Sequence, residues 1–192
     1  MTILGIDASS ANTGWAVIKG DNIKNAEVLA FGEIELTKFK KKKFPLEYVL
    51  VLFNSAVDLL QKYKPSHIYL EDIYYARNIL TYKSLARMRG IIEAALLTTG
   101  FKTIKALSTM TLRDNVLGTG KFDKSQVCAI LEKRYNITLA TEGYDQSDSL
   151  LVALGGMLDA TNQIVIRPRK RKPRAIKSSN DYGSKTRRKR SK

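Results

Sequence analysis

Cysteine and histidine are nearly absent from this 192-residue chain, which holds one of each, Cys128 and His67. A single cysteine excludes an intramolecular disulfide framework and a thiolate zinc site, and it is typical of a protein in a reducing compartment. We expect Cys128, on an amphipathic helix, to be a small core residue. His67 lies inside a predicted strand, and we expect it to be a packed or edge residue without a catalytic role.

Long apolar runs are missing as well. The most apolar stretch, residues 150–158, is about half as long as a membrane-spanning helix needs. The apolar run at residues 2–6 is too short for the core of a secretion signal and has no basic residues before it. We therefore expect an intracellular, cytoplasmic protein that does not contact a membrane.

Acidic residues are outnumbered: 18 Asp and Glu stand against 33 Lys and Arg, a net charge of +15. Most of the excess lies in residues 167–192, which hold 13 basic residues and one acid, and five lysines within residues 38–43 hold much of the rest. The division predicts a near-neutral domain over residues 1–166 and a basic tail, 167–192, that is disordered without a partner. The sign of the charge indicates a nucleic-acid partner before an anionic membrane surface.

The hydrophobic pattern predicts a mixed α/β domain. Three short strands separated by tight turns occupy residues 2–36, and a fourth and a fifth strand are expected at 66–70 and 102–107. Helical spacing marks residues 46–63, 82–96, 111–116, 123–135 and 145–160. This order implies a five-stranded mixed sheet, with three antiparallel N-terminal strands and further parallel strands, flanked by helices.

Four carboxylates stand out by position. Asp7 and Glu71 each end a buried strand, while Asp145 and Asp148 lie three residues apart at the start of a helix and so share one face. If the two strands are neighbours, the first two acids meet at one sheet edge, and the helix could bring the other two there. Such a cluster is stable only with bound cations, and oxygen ligands select Mg²⁺, or Mn²⁺ in its place. Two such ions in one site would suit phosphodiester cleavage.

Each acid taken singly also has a structural interpretation, which the spacing leaves open. Asp7 could cap a turn, and Glu71 could belong to a solvated loop. Asp145 is placed to be a helix N-cap, with Asp148 favoured in the first turn by the helix dipole.

Five short motifs occur in order within residues 1–160. They are Ile-Leu-Gly-Ile-Asp at 3–7 with Thr-Gly at 13–14, Tyr-Leu-Glu-Asp-Ile-Tyr at 69–74 with Ala-Arg-Asn at 76–78, Arg-Met-Arg-Gly at 87–90, Val-Leu-Gly-Thr-Gly at 116–120 with Lys-Ser-Gln-Val at 124–127, and Asp-Gln-Ser-Asp-Ser-Leu at 145–150. Together they resemble the RuvC family of Holliday junction resolvases, which has a ribonuclease H-like fold.

The resemblance implies roles for particular residues. The metal-binding catalytic acids would be Asp7, Glu71, Asp145 and Asp148. Lys124, and by a looser match Arg113, would lie near the scissile phosphate. Tyr74 would stack on a base near the crossover, and Arg77 would contact DNA.

The resemblance also implies a reaction and an assembly. Two Mg²⁺ ions would activate a water that attacks the phosphorus and would stabilise the leaving 3′ oxygen, which leaves a 5′-phosphate. A homodimer would supply paired nicks in opposing strands of a four-way junction. Forks and flaps stay open as substrates.

Two basic segments depart from the bacterial family pattern and favour a divergent viral or organellar branch, with the cytoplasm of a host cell, a nucleus or an organelle left open as the location. The lysine run is either a solvated loop or a phosphate-contacting loop. The tail is either a nonspecific DNA tether, which we favour, or a nuclear-import signal. The basic residues that we expect to contact DNA here are Lys40, Lys41, Lys42, Arg169, Lys170 and Arg171.

Two other classes of function fit parts of the sequence. The residues that follow Asp7 resemble the phosphate-loop turn of actin-like ATPases, although those proteins are much longer and carry a second domain. A non-catalytic relative that binds branched DNA is the other alternative, and the presence of all four acids argues against it.

Overall fold

Five strands and five α-helices form the described part of the chain. The computed structural model describes residues 1–9, 12–39, 46–73 and 78–166. The strands are β1 (Thr2–Ala8), β2 (Asn12–Lys19), β3 (Glu27–Glu35), β4 (His67–Glu71) and β5 (Lys105–Leu107). The helices are α1 (Leu46–Tyr63), α2 (Ile79–Thr98), α3 (Thr109–Leu117), α4 (Lys124–Tyr135) and α5 (Asp145–Ala160).

The strands make one mixed sheet in the order β3-β2-β1-β4-β5. Strand β2 is antiparallel to both β1 and β3, whereas β4 joins β1 and β5 joins β4 in parallel. The predicted five-stranded mixed sheet is therefore confirmed. Ile6 of β1 is opposite Leu70 of β4, so the next residue of each strand is an acid, Asp7 and Glu71. The two acids are thus neighbours at one sheet edge.

Helix α5 lies across one face of the sheet and is buried along most of its length. A Cβ on Gly5 of β1 would lie 2.6 Å from the carbonyl oxygen of Ser149 and 2.8 Å from the Cα of Ala153. A Cβ on Gly14 of β2 would overlap the carbonyl group of Asp145. Because glycine alone leaves room for the helix backbone, these two positions bring the start of α5 to the edge where β1 ends.

Helices α1 and α2 cover the opposite face of the sheet. The apolar spacing of residues 46–63 predicts an amphipathic helix, and α1 has these bounds. Its buried side chains pack with those of α2 and with the inward side chains of β1 and β4. The members of this cluster from the two helices are Tyr48, Leu52, Leu59, Leu60, Met88, Ile92 and Leu96. Burying each such apolar side chain contributes roughly 1.5–3 kcal/mol.

The predicted starts of the fifth strand and of the second helix are each wrong by three residues. The fifth strand begins at Lys105 rather than at residue 102, because Phe101 and Ile104 pack against the same apolar cluster. The N–H of Phe101 still donates to the carbonyl of Leu96 in α2 at 3.3 Å, so the chain joins the sheet only after this residue. Helix α2 begins at Ile79, three residues before the predicted start, because the side chain of Asn78 caps it and accepts a hydrogen bond from the backbone N–H of Leu80 at 2.9 Å.

The two rare residue types occupy ordinary positions. Cys128 is buried in the core, as expected. His67 is exposed at the start of β4, where its Nδ1 lies 3.0 Å from the hydroxyl of Ser66. Since Glu71 ends the same strand, the histidine is at the far end of β4 from the acids.

The last described residues return from α5 to α3. The side-chain amide of Asn115 donates to the carbonyl of Val165 at 3.0 Å and accepts from its N–H at 2.7 Å. The predicted tail, 167–192, lies outside the described residues. No helix in the described ranges has both the length and the apolar character that a membrane span requires.

Candidate active site

Asp7, Glu71, Asp145 and Asp148, here called the acid cluster, lie where the ends of β1 and β4 meet the start of α5. Asp7 is 7% exposed, and Asp145 and Asp148 are each 6% exposed, although charged residues are seldom so deeply buried. A cavity of about 440 Å³ opens beside them. The polar side chains that line it include those of Asp7, Ser9, Glu71, Asp72, Arg89, Thr109, Lys124 and Asp145.

A tight turn starts α5 at this place. Gly143 and Tyr144 both have left-handed backbone conformations, with φ of 81° and 62°. Tyr144 is the N-cap and makes no side-chain capping bond, while its carbonyl accepts the N–H of Asp148 at 2.9 Å. Asp145 is therefore the first residue of the helix, and its interpretation as the N-cap is wrong. Its side chain lines the cavity instead.

Burial and mutual repulsion dominate the electrostatics of the acid cluster. Burial raises the pKa of Asp7 well above its ordinary value, and the charges of Glu71, Asp148 and Asp145 raise it further. After burial, Glu71 is the neighbour that raises the pKa of Asp7 most.

The two acids of α5 are perturbed in the same direction. Burial, followed by the charge of Glu33, raises the pKa of Asp145 to about 6, although Lys124 partly offsets this. Burial also raises the pKa of Asp148, against the opposing effect of its hydrogen bond with Lys124. The site therefore disfavours negative charge unless a cation compensates it.

Asp145→Asn should raise the thermal stability of the metal-free protein, by an amount that grows with pH. The folded-state pKa of about 6 lies above the ordinary 3.8, so the folded chain binds the proton more tightly and the wild type loses stability as pH rises through this window. The amide does not titrate, so the Tm difference should open between these two values and stay constant above them. Melts of both proteins in EDTA at several pH values measure it, and a difference that does not change with pH would contradict the buried charge.

Lys124 is the described cation that touches the acid cluster most directly. Its Nζ donates to Oδ2 of Asp148 at 2.5 Å. It is the first residue of α4, whose start is fixed by a capping box: the side chain of Asp123 accepts from the N–H of Gln126, and the side chain of Gln126 accepts from the N–H of Asp123. Lys124 is thus held beside the acids by an ordered helix end.

The donors of the acid cluster fit a hard divalent cation. In the part of the chain that is described, no three acid, histidine or cysteine side chains are already arranged around a common point as a metal site. However, Oδ1 of Asp148 is buried without a hydrogen-bond partner among the described residues, and the pKa of Asp7 is strongly raised. A bound cation would relieve both penalties, and carboxylate oxygens suit Mg²⁺ or Mn²⁺.

The remaining predicted site residues are only partly accounted for. Arg113 lies on α3, and its Nη1 donates to the carbonyl of Phe122 at 2.9 Å, so this side chain braces the segment before α4. Its charge lowers the pKa of Asp148, although burial and Lys124 have larger effects. The other predicted DNA-contacting residues lie outside the described residues: Lys40, Lys41, Lys42, Tyr74, Arg77, Arg169, Lys170 and Arg171.

Two residues near the acids were not singled out from the sequence. Thr109, at the start of α3, donates its hydroxyl hydrogen to Oε1 of Glu71. Glu33 of β3, whose charge raises the pKa of Asp145, pairs in the sheet with Gly14 and accepts from Nδ2 of Asn12 at 3.0 Å. Neither stands in a motif, and their positions follow from strand register, which the sequence does not reveal.

Comparison with known sequences gives a consistent result. The family model described as Crossover junction endodeoxyribonuclease RuvC matches residues 3–155. A protein of that name from Aliarcobacter butzleri is 32% identical over 155 residues, which cover 80% of this chain and 96% of the relative. Another, from Koribacter versatilis, is 26% identical over 155 residues, which cover 80% of this chain and 90% of the relative.

Comparison with solved structures supports the predicted fold. The structure described as T. thermophilus RuvC in complex with Holliday junction substrate matches with a TM-score of 0.74 and 17% identity, over 85% of this chain and 98% of that one. At this level of identity the likeness shows the fold. The predicted ribonuclease H-like α/β architecture is thereby confirmed.

Proposed function

The chain belongs to the RuvC family of crossover junction endodeoxyribonucleases, and on that premise we propose that the acid cluster is the metal-binding catalytic site with which it resolves Holliday junctions. The protein is an endonuclease that acts on DNA. Neither alternative, an actin-like ATPase or a non-catalytic binding protein, is favoured by this membership. The observation that carries the site assignment is that Asp7, Glu71 and Asp145 line one cavity, and that the charges of Glu71, Asp148 and Asp145 raise the pKa of Asp7.

The proposed metal ligands are the carboxylates of Asp7, Glu71, Asp145 and Asp148. A divalent ion bound there, Mg²⁺ with Mn²⁺ as a substitute and two ions per site, would supply an activated water and stabilise the leaving oxygen. The chain's own contribution is to hold these carboxylates close together, with Asp7, Asp145 and Asp148 buried. Burial keeps the site's dielectric constant low, so its charges act on the phosphate more strongly than they would in water.

Lys124 is proposed to act on the scissile phosphate. Its ammonium is half exposed and faces the cavity while it pairs with Asp148. Once cations neutralise the acids, the ammonium is available to offset the charge that develops on the phosphate in the transition state. Arg113 is proposed to contact DNA near the same phosphate, and its hydrogen bond to the carbonyl of Phe122 holds the segment before α4.

The remaining proposals concern the substrate and the assembly. Branched DNA is the substrate class, and the basic segments 38–43 and 167–192 are proposed to contact its phosphates. Tyr74 and Arg77 are proposed to contact DNA near the crossover. A homodimer is proposed because a two-fold axis places two equivalent sites on the two opposing strands that must be cut.

Lys124→Gln tests the proposed site. Cleavage of a four-way junction at saturating protein should fall by about a hundredfold, because a charge-stabilising donor is lost, while the affinity for the junction changes little. The matched control is Lys121→Gln, which removes an exposed charge three residues earlier and should cleave normally. Single-turnover cleavage and gel-shift binding measure both effects. Equal losses in the two variants, or no loss in either, would contradict the assignment.

A further inference from the structure

We propose that Thr109 is a positioning residue for the metal site: its hydroxyl holds the Glu71 carboxylate in the orientation in which this acid binds a divalent cation. The inference rests on the proposed function of the acid cluster. It adds a neutral residue on α3 to a site otherwise composed of four acids and a lysine. Thr109 lines the same cavity as Asp7, Glu71 and Asp145, and it donates to Oε1 of Glu71.

Hydrogen bonds of the residues next to Glu71 and next to Thr109 hold the two side chains in position. The N–H of Asp72, directly after Glu71, donates to the carbonyl of Leu107 at 2.9 Å, which ties the end of β4 to the end of β5. One residue further on, Ser108 caps α3 by accepting from the N–H of Thr111 at 3.3 Å. The hydroxyl of Thr109 therefore reaches Glu71 from a helix end whose distance from β4 is fixed.

Glu71 needs a hydrogen-bond partner that fixes its carboxylate more than the three aspartates do. A glutamate side chain has one more rotatable bond than an aspartate, so it loses more conformational freedom when it is fixed as a ligand. Glu71 accepts the hydroxyl hydrogen of Thr109 through Oε1. The hydroxyl of Thr109 thus orients this carboxylate before a cation arrives.

A hydroxyl is suited to this role because it is neutral. Lys124 bonds to Asp148 with a full positive charge, and this charge repels an incoming cation. The hydroxyl of Thr109 orients its carboxylate without such repulsion, and the remaining lone pairs of Glu71 stay available to a metal ion. Partners of this kind typically change metal affinity or activity by about 10–100-fold when they are removed.

The test compares Thr109→Val, which removes the hydroxyl and keeps the shape, with Thr109→Ser, which keeps the hydroxyl. Binding of Mn²⁺ to the DNA-free protein, followed by electron paramagnetic resonance, should weaken about tenfold in the valine variant and stay near wild type in the serine variant. The Mg²⁺ concentration for half-maximal junction cleavage should rise by the same factor, with unchanged affinity for the junction. If the valine variant does not fold, Thr109→Ala carries the same comparison.

Thr111→Val is the matched control. It removes a hydroxyl from the same turn, one that lies 2.9 Å from the hydroxyl of Ser108, and it should bind Mn²⁺ as the wild type does. Equal weakening in this control, equal weakening in Thr109→Ser, or normal Mn²⁺ affinity in Thr109→Val would each overturn the proposal. Glu71→Gln separates the two levels: if it loses Mn²⁺ while Thr109→Val does not, only the role of Thr109 fails, and if neither variant loses Mn²⁺, the metal-site assignment fails as well.

Discussion

Asp7→Asn should bind four-way junctions with nearly wild-type affinity and cut them about a thousandfold more slowly in Mg²⁺. Asp7 ends the central strand and is the acid whose pKa is raised by all three other members of the acid cluster. Replacing its carboxylate with an amide would remove a charged ligand from the proposed metal site. Metal stabilisation of a transition state contributes several kcal/mol, which corresponds to about three orders of magnitude in rate.

Asp7→Asn should reduce cleavage without reducing the stability of the fold. Asp7 is buried among like charges, so the neutral amide should leave the metal-free protein at least as stable as the wild type in EDTA. Asp21→Asn is the matched control, since Asp21 is exposed in the turn after β2, where it pairs with the N-terminal ammonium. It should cut normally. Normal cutting by Asp7→Asn would show that the acid cluster is not the catalytic site.

Gly5→Ala should destabilise the fold by about 3 kcal/mol, near the upper end of the usual cost of overpacking. The added methyl group would meet the backbone of α5 at Ser149 and Ala153 rather than a flexible side chain. Relief of the overlap therefore requires α5 to move away from β1. Because α5 carries Asp145 and Asp148 in its first turn, junction cleavage should fall along with the stability.

Gly90→Ala is the control for this change. Gly90 lies inside α2, and a Cβ there would have no neighbouring atom within 4 Å. Alanine should stabilise that helix by roughly 0.5–1 kcal/mol. Urea unfolding of both variants should move the midpoints in opposite directions. A Gly5→Ala protein as stable as the wild type would show that α5 and β1 are not in close contact.

Most of the secondary structure follows from local sequence patterns. Helix α1 is predicted at both ends, because its apolar spacing is regular and residue 65 is a proline. The start of α2 is predicted less well, because the sequence between Glu71 and Tyr82 lacks an apolar period and Asn78 decides where the helix begins. The start of β5 is also predicted less well: Ile104 is of a residue type that strands favour, but it lies before the strand and packs against the apolar cluster of α1 and α2.

The candidate site is predictable where it follows from strand order and not where it depends on register. Asp7 and Glu71 end two apolar strands, so their meeting follows once those strands are neighbours. The contact of Thr109 with Glu71 depends on how far β5 extends before α3 begins. The position of Glu33 beside Asp145 depends on the pairing of β3 with β2. The sequence predicts neither the length of β5 nor the register in which β3 pairs with β2.

Metal-dependent cleavage of junctions is tested most directly by a cleavage assay with the wild-type protein on a synthetic four-way junction, in Mg²⁺ and in EDTA. We expect paired nicks with 5′-phosphate ends in Mg²⁺, no cutting in EDTA, and binding in both. Linear duplex of the same sequence should stay intact. Binding without cutting in Mg²⁺, or equal cutting in EDTA, would contradict a metal-dependent junction endonuclease built on Asp7, Glu71, Asp145 and Asp148.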